Sequence, residues 1–214
     1  RDGIPVLISE TGFHPVDGIN SGNDLAYALY RSSWFFQGAG NERYTSIGVF
    51  VGVGENNRPH GFVSISDEAT GGNGGGQVEL TPSYHILFLW KEMVGGTIGD
   101  TTTTIRTYRE TNLGRDYDIP YLSAVLVRKE GGIINLLVQN RSSKRAKITI
   151  SLTGLVPQAV ADVKKVGGFG KLYTSTNAVD PSNVIVENSS ISDAASSFLF
   201  IFEPLSLTLV MLKE

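Results

Sequence analysis

Arg1-Asp-Gly-Ile-Pro-Val-Leu-Ile-Ser-Glu10-Thr-Gly12 is the stretch on which the fold turns. Pro5 to Ile8 is too short and too continuously apolar for a half-exposed strand. It reads instead as a central strand of a parallel sheet, buried on both faces. Folds of that kind place their chemistry at the C-terminal ends of their strands. Here that end delivers Glu10 into a Gly-containing turn with room for a ligand, so Glu10 is the candidate catalytic nucleophile.

Outward from that strand, Gly18 to Asp24 supplies turn and cap residues, and Leu25, Ala28, Leu29, Ser32 and Phe36 follow at helical spacing. The spacing predicts an amphipathic helix over residues 24 to 37, stopped by Gly38-Ala-Gly40. Tyr44 to Val53, rich in β-branched residues, predicts a second strand. Gly54 to Leu80 reads as a long irregular stretch, of the kind that forms binding loops or stays disordered. Thr81-Pro82 then opens a second helix to about Val94, with a hydroxyl at the N-cap and Pro at the first helical position. Apolar residues cover most of its circumference, as expected of a helix packed between a sheet and another domain. Two βα units are therefore expected before residue 97.

From about Thr97 the texture changes to short β-rich runs separated by turn signals, and no helical repeat appears after residue 95. Candidate strands are Thr102 to Tyr108, Ala124 to Arg128, Ile133 to Gln139, Ala146 to Leu152, Ala159 to Val166, Asn183 to Val186, Phe198 to Phe202 and Leu205 to Leu212. Lys129-Glu-Gly-Gly132 is the expected hairpin turn between two of them. Such spacing predicts an antiparallel sandwich. Alternation in Lys147-Ile-Thr-Ile-Ser-Leu-Thr and in Leu205 to Leu212 predicts strands with one face in the core and one in water.

Composition narrows the function classes. The chain has 214 residues, a formal net charge of -3 and 18% charged residues, and no basic cluster exceeds Lys144-Arg145 with Lys147 or Lys164-Lys165, so nucleic acid is not the expected partner. Cysteine is absent, which removes disulfides and thiolate metal sites. His14, His60 and His85 have no ligand-like spacing, so neither a metal nor another cofactor is expected. The longest apolar runs fall well short of the roughly 20 residues of a membrane-spanning helix, so no membrane partner is expected. Gly71 to Gly76 lacks the Lys-Ser/Thr of a phosphate-binding loop and reads as a flexible tip. The sequons at Asn140 and Asn188 are read as chance.

Several motifs in order along the chain carry a resemblance. They are Val6-Leu-Ile-Ser-Glu10-Thr-Gly12, Leu80-Thr-Pro-Ser-Tyr-His-Ile-Leu-Phe-Leu-Trp90, Leu136-Leu-Val-Gln-Asn140-Arg-Ser with its neighbouring strand, and Glu203-Pro-Leu-Ser-Leu-Thr-Leu-Val. Together they resemble the C-terminal portion of clan A retaining glycoside hydrolases, families thirty-nine and fifty-one and their relatives. The resemblance implies the last two βα units of a (β/α)8 barrel, strands seven and eight, over residues 1–96, then a β-sandwich over residues 97–214. It also implies a carbohydrate substrate and a double-displacement hydrolysis with Glu10 as nucleophile.

A retaining glycosidase needs two carboxyl groups about 5 to 5.5 Å apart. By resemblance the second is a Glu preceded by Asn at the end of the fourth barrel strand, and this sequence has no such strand. Its Asn41-Glu42 lies at the wrong end of the barrel. Six further βα units amount to about 190 residues. The chain is therefore expected to be one piece of a split, nicked or heteromeric enzyme, inactive without an N-terminal barrel fragment or companion chain, with residues 1 to about 95 folding only against it. An extracellular setting is favoured over a cytoplasmic one, without being decided.

Further residues are candidates for the site. His14, four residues past Glu10, is a candidate for a sugar hydroxyl, and His60 and Phe62 are candidates for substrate contact from the loop after the eighth strand. The clan's usual Trp at the end of that strand is replaced by Phe50-Val-Gly-Val-Gly54, with Phe62 the possible substitute. Trp34 and Trp90 fall in helical patterns and read as core, while His85 reads as packed or surface exposed. The rival class is a non-catalytic carbohydrate-binding or structural sandwich. Against it, Tyr108, Tyr117, Tyr121, Tyr173 and Phe169 form no evident sugar platform along the sequence.

Overall fold

The structure is a computed structural model that describes residues 6–8, 24–39, 44–47, 53–55, 63–65, 78–112, 115–177 and 180–214. The first strand, β1 (Val6–Ile8), pairs in parallel with β2 (Tyr44–Ile47), and helix α1 (Leu25–Ala39) lies between them in the chain. That is the parallel βα arrangement expected from the opening apolar run. Asp24 begins α1 by accepting a hydrogen bond from the Tyr27 N–H at 2.9 Å, which satisfies one orphan donor of the first turn.

The described ends of the stretch read as one strand over Tyr44 to Val53 lie in different sheets. Tyr44–Ile47 is β2, while β3 (Val53–Glu55) joins β4 (Val63–Ile65) in parallel, with β5 (Val78–Leu80) antiparallel beside β4. The stretch expected to be irregular thus contributes two short strands to a three-stranded sheet. Each is three residues long, below what a periodicity argument detects. Helix α2 (Pro82–Lys91) begins with Pro as expected, but the Thr81 side chain makes no capping bond. The Thr81 carbonyl instead accepts from the Tyr84 and His85 N–H groups.

The remaining elements are β6 (Thr97–Gly99), β7 (Thr107–Asn112), β8 (Arg115–Pro120), β9 (Leu122–Arg128), β10 (Ile133–Asn140), β11 (Ala146–Ser151), β12 (Ala161–Gly167), β13 (Val186–Ile191), β14 (Ser197–Phe202) and β15 (Ser206–Lys213). β9 and β10 are joined through a tight turn at Glu130–Gly132, in which Lys129 N–H donates to the Ile133 carbonyl at 2.8 Å. Two expected strands are displaced. Thr102 to Arg106 is irregular, and the strand starts only at Thr107, where pairing with β8 supplies its hydrogen bonds. Asn183 belongs to a turn, since its N–H donates to the Asp180 carbonyl and Val184 N–H donates to Asn177 Oδ1. The strand follows as the polar edge strand β13.

A six-stranded antiparallel sheet in the order β13-β12-β15-β10-β9-β6 organises the molecule. One face packs on the two-stranded sheet β11-β14 around Ile134, Leu136, Val138, Ile150, Phe198, Phe202, Val210 and Leu212. The other face carries the helices, with Leu25, Leu29, Ile86 and Leu89 against Val127, Leu137, Leu207 and Leu209. The central strand β15 is therefore buried on both sides, correcting the expectation that it has a wet face. Its Leu207 and Leu209 serve the helices while Val210 and Leu212 serve the sandwich. Full burial of each such side chain stabilises the fold by about 1.5 to 3 kcal/mol. β11 does alternate as read, with Ile150 inward and Lys147, Thr149 and Ser151 exposed.

The helices are thus not bare. Their inner faces share a core with the sheet, and the Leu25 and Ala26 N–H groups donate to the Ser175 and Tyr173 carbonyls at 2.9 Å. What α2 leaves open is Leu87 and Phe88, 37% and 38% exposed, with the Lys164 ammonium of β12 5.5 Å from the Phe88 ring centre.

Candidate functional site

Four residues carry the sequence-based site, and all four, Glu10, His14, His60 and Phe62, lie outside the described residues. So do Asn41-Glu42 and Gly71 to Gly76. What the structure places is the strand that leads to Glu10. Its described residues, Val6–Ile8, are in parallel register with β2 and precede Glu10 by two positions in the sequence.

The described residues form a groove of about 980 Å³ between α1, the β7–β8 hairpin and the end of the six-stranded sheet at β9 and β10. Ala26, Leu29, Tyr30, Ser33 and Phe36 come from α1 at the spacing of one helix face. Leu122, Ser123 and Ala124 come from β9, Gln139 from β10, and Thr101 and Thr103 from the segment after β6. Tyr108, Asp118, Tyr121 and Tyr173 complete the wall.

Arg141 organises the polar side. Its Nε donates to Ser33 Oγ at 3.1 Å, and its Nη1 donates to the Pro120 carbonyl at 2.8 Å and to Ser123 Oγ at 3.1 Å. Burial pulls the guanidinium below its ordinary range, and the nearby Tyr108 phenol opposes that shift. It stays a cation at any working pH. Tyr173 donates its O–H to the Arg141 carbonyl at 2.8 Å, and burial, helped by Tyr121, raises its phenol above the usual range. The Tyr108 and Tyr121 rings lie 5.0 Å apart with a 43° tilt. Beneath them Gln139 Nε2 donates to the Leu29 carbonyl at 2.9 Å and to Ser33 Oγ at 3.2 Å, while Gln139 Oε1 finds no donor among the described residues.

This arrangement gathers aromatic faces, hydroxyls and a fixed cation along one groove. Among the described residues that line it, Asp118 is the one carboxylate, so they supply no carboxyl pair of the kind a retaining glycosidase needs. Gln139 and Arg141, which both donate to Ser33 Oγ, were not among the sequence-based candidates, although a Gln-Asn-Arg run follows Leu136-Leu-Val138 at the end of β10. Three of the tyrosines judged scattered along the sequence are brought to one wall.

Trp90 packs as expected, at 4.8 Å edge-on to Phe36 and 5.4 Å from Phe35, and donates its Nε1 hydrogen to Ser32 Oγ at 3.0 Å. The Trp34 side chain lies outside the described residues. His85 is half-buried beside Tyr84, and burial lowers its pKa. Among the described residues no cluster of three His, Cys, Asp or Glu residues could hold a metal ion. No helix among them is long and apolar enough to cross a membrane.

No family model matches the sequence, and no curated protein sequence matches it. Solved structures do. The GH51 alpha-L-arabinofuranosidase from Thermotoga petrophila RKU-1 superimposes with a TM-score of 0.75 at 17% identity, over 98% of this chain and 43% of its own. The alpha-L-arabinofuranosidase of Thermotoga maritima, an arabinose complex, gives 0.74 at 18% identity over 99% and 44%. A family 30 subfamily 8 xylanase from Clostridium acetobutylicum gives 0.59 at 9% identity over 98% and 43%. The chain has the fold of somewhat over two fifths of these glycoside hydrolases, and the likeness extends over nearly all of it.

Proposed function

We propose that this chain is the C-terminal part of a retaining glycoside hydrolase acting on polysaccharides or their oligosaccharides. In that reading residues 1–96 supply the last quarter of a (β/α)8 barrel and residues 97–214 the sandwich that braces it. The observation that carries the reading is β1, an apolar strand in parallel with β2 whose described residues immediately precede Ser9-Glu10 in the sequence. The fold shared with arabinofuranosidases and a xylanase supports it and points to pentose-containing glycans as the first substrates to try.

Glu10 would attack the anomeric carbon as the glycosidic oxygen leaves, giving a covalent glycosyl-enzyme. A carboxyl from the remainder of the barrel would protonate the leaving oxygen and then deprotonate the water that releases the sugar. His14, His60 and Phe62 would contact the substrate from the same barrel face. The test is Glu10→Gln in the completed enzyme, assayed on aryl arabinofuranosides and xylosides. Turnover should fall on the order of 10³-fold or more, because the attacking carboxylate is gone. Essentially unchanged turnover would sink the proposal.

A second reading, a non-catalytic carbohydrate-binding sandwich, is favoured by one observation, the gathering of Tyr108, Tyr121 and Tyr173 on one groove wall. It requires saturable binding of arabino- or xylo-oligosaccharides to the chain alone, lost in Tyr121→Ala. The glycosidase reading expects none there.

A further inference from the structure

We infer that the loop joining β12 to β13 carries a distal glycan subsite at the catalytic end of the completed barrel, with the Phe169 ring as its base. The subsite rests on the glycosidase reading above and adds a second place where substrate is held. Its position follows from the helices. β1 and β2 run in parallel with α1 between them, so α1 has to run back, and its N-terminus lies at the end of β1 that leads to Glu10. The loop meets that N-terminus directly. Gly167 lies against the Leu25 side chain, and the Tyr173 and Ser175 carbonyls accept from the Ala26 and Leu25 N–H groups at 2.9 Å. Asn177 Nδ2, from the same loop, donates at 2.8 Å to the Leu80 carbonyl just ahead of α2. Both helix starts are thus gathered by one loop, at the end where a (β/α)8 barrel carries its chemistry.

The loop holds an aromatic ring out in water and keeps it in place. Gly168 to Lys171 closes a tight turn, with the Lys171 N–H donating to the Gly168 carbonyl at 3.0 Å, and Gly170 at φ +83° supplies the left-handed corner beside Phe169. A second turn follows, in which the Ser175 N–H donates to the Leu172 carbonyl at 3.0 Å and the Leu172 N–H donates to Ser175 Oγ at 2.9 Å. Phe169 is 75% exposed, yet its ring is anchored. The Arg145 guanidinium lies 4.9 Å from the ring centre, and Arg145 Nε donates to Glu203 Oε2 at 3.0 Å. A cation fixes one face of the ring and the other face is open. Leu172, 67% exposed, and Tyr173, 49% exposed, continue this surface toward the groove beside α1.

A phenylalanine so exposed adds little to folding, and an ordered one gives up little freedom when a ligand stacks on it. The C–H face of a sugar ring is apolar with weakly positive hydrogens, and the negative face of an aromatic ring complements it. Arg145 beneath the ring and Lys171 two residues along the turn bring N–H donors for the sugar hydroxyls. The loop stands outside the strand that leads to Glu10 by about 10 Å, the thickness of a packed layer. A monosaccharide glycoside held at Glu10 does not span that distance, and a polymer does. The occupant is therefore a chain of sugars that also lies in the catalytic cleft.

The test compares Phe169→Ala and Phe169→Trp with the parent in the completed enzyme, on arabinan, on xylan and on the matching aryl arabinofuranoside and xyloside. The ratio of kcat/KM on the polymer to kcat/KM on the aryl glycoside should fall about tenfold in Phe169→Ala, through KM, and recover in Phe169→Trp. A ring that only supported the fold would lower both substrates alike, and that result overturns the inference. So does an unchanged ratio, a ratio that Trp does not restore, or activity on aryl glycosides with none on either polymer. Because the chain has no cysteine, Leu172→Cys gives one thiol on the loop whose labelling can be mapped by mass spectrometry. It should react with a maleimide in the completed enzyme and be shielded by the polymer. Shielding by assembly alone means that protein covers the loop, and overturns the inference. Kinetics of Glu10→Gln keep the two proposals apart. An enzyme that needs Glu10 but whose polymer preference ignores Phe169 removes only the subsite. An enzyme indifferent to Glu10 whose polymer preference needs Phe169 removes only the catalytic reading.

Discussion

Gln139 in the six-stranded sheet donates its side-chain amide to the Leu29 carbonyl of α1 at 2.9 Å. Four residues earlier on the same strand, Asn135 Nδ2 donates to the Glu92 carbonyl just past α2 at 2.6 Å. One strand of the six-stranded sheet thus holds both helices. With the shared core beneath them, these bonds tie α1 and α2 to the six-stranded sheet across the proposed domain boundary. The Lys164–Glu92 ion pair at 3.0 Å adds a third tie between α2 and the sheet.

The first consequence concerns Gln139 itself. Gln139→Ala removes two hydrogen bonds and opens a cavity under α1, and should cost about 2 to 4 kcal/mol of unfolding free energy. Gln139→Leu fills the space and deletes the unpaired Oε1 as well, so it should cost less than half as much. Urea unfolding of both variants checks the order.

Asp24 makes the helix start sensitive to pH. Burial raises its pKa from 3.8 to about 6, against the lowering effect of the Tyr27 and Ala26 N–H bonds. The native carboxyl holds its proton more tightly than the unfolded one. Its contribution to stability is therefore fully present below about pH 4 and is lost as pH rises toward and through about 6, by about 3 kcal/mol at most. Asp24→Asn keeps a good N-cap without the titration. Melting temperatures from pH 4 to 8 should show the variant gaining on the parent as pH rises. A constant gap would refute the assignment.

Gly167 is the position least able to change. Its φ is +83°, and a Cβ built there would press on the Leu205 carbonyl oxygen, backbone against backbone. Gly167→Ala should destabilise the fold by about 3 kcal/mol, combining a left-handed conformation with a clash that no rotamer relieves. Gly154 shares a positive φ but has open space, so Gly154→Ala serves as the mild control.

Trp90 reports on the seam between the helices. Trp90→Phe keeps a ring against Phe36 and loses the donation to Ser32 Oγ, a cost of about 1 kcal/mol. Indole emission in denaturant should move with α1–α2 separation in the parent, and the variant's lower midpoint by circular dichroism checks the energy.

Much of the secondary structure was legible because it rests on local periodicity. The helix expected over residues 24 to 37 is Leu25–Ala39, and the one after Thr81-Pro82 starts at Pro82. The turn at Lys129 to Gly132 and the strands Leu122–Arg128 and Ile133–Asn140 follow the same local signals. β4, β5 and β8 were not legible, since a short strand exists only by virtue of its partner, and that partner lies elsewhere in the chain. Val186–Ile191, polar almost throughout, is a strand because β12 offers it an edge.

By itself, then, the sequence determined the two helices and most of the longer strands, the parallel character of the opening strand, the antiparallel texture after Thr97 and the choice of Glu10 as the group to test. Tertiary structure alone decided that Leu205 to Leu212 runs through the centre of a sheet covered on both faces, and that Tyr108, Tyr121, Tyr173, Gln139 and Arg141 meet beside α1. The physical reason is that periodicity records which side of an element is apolar, whereas what lies against that side depends on the packing of residues far apart in the chain.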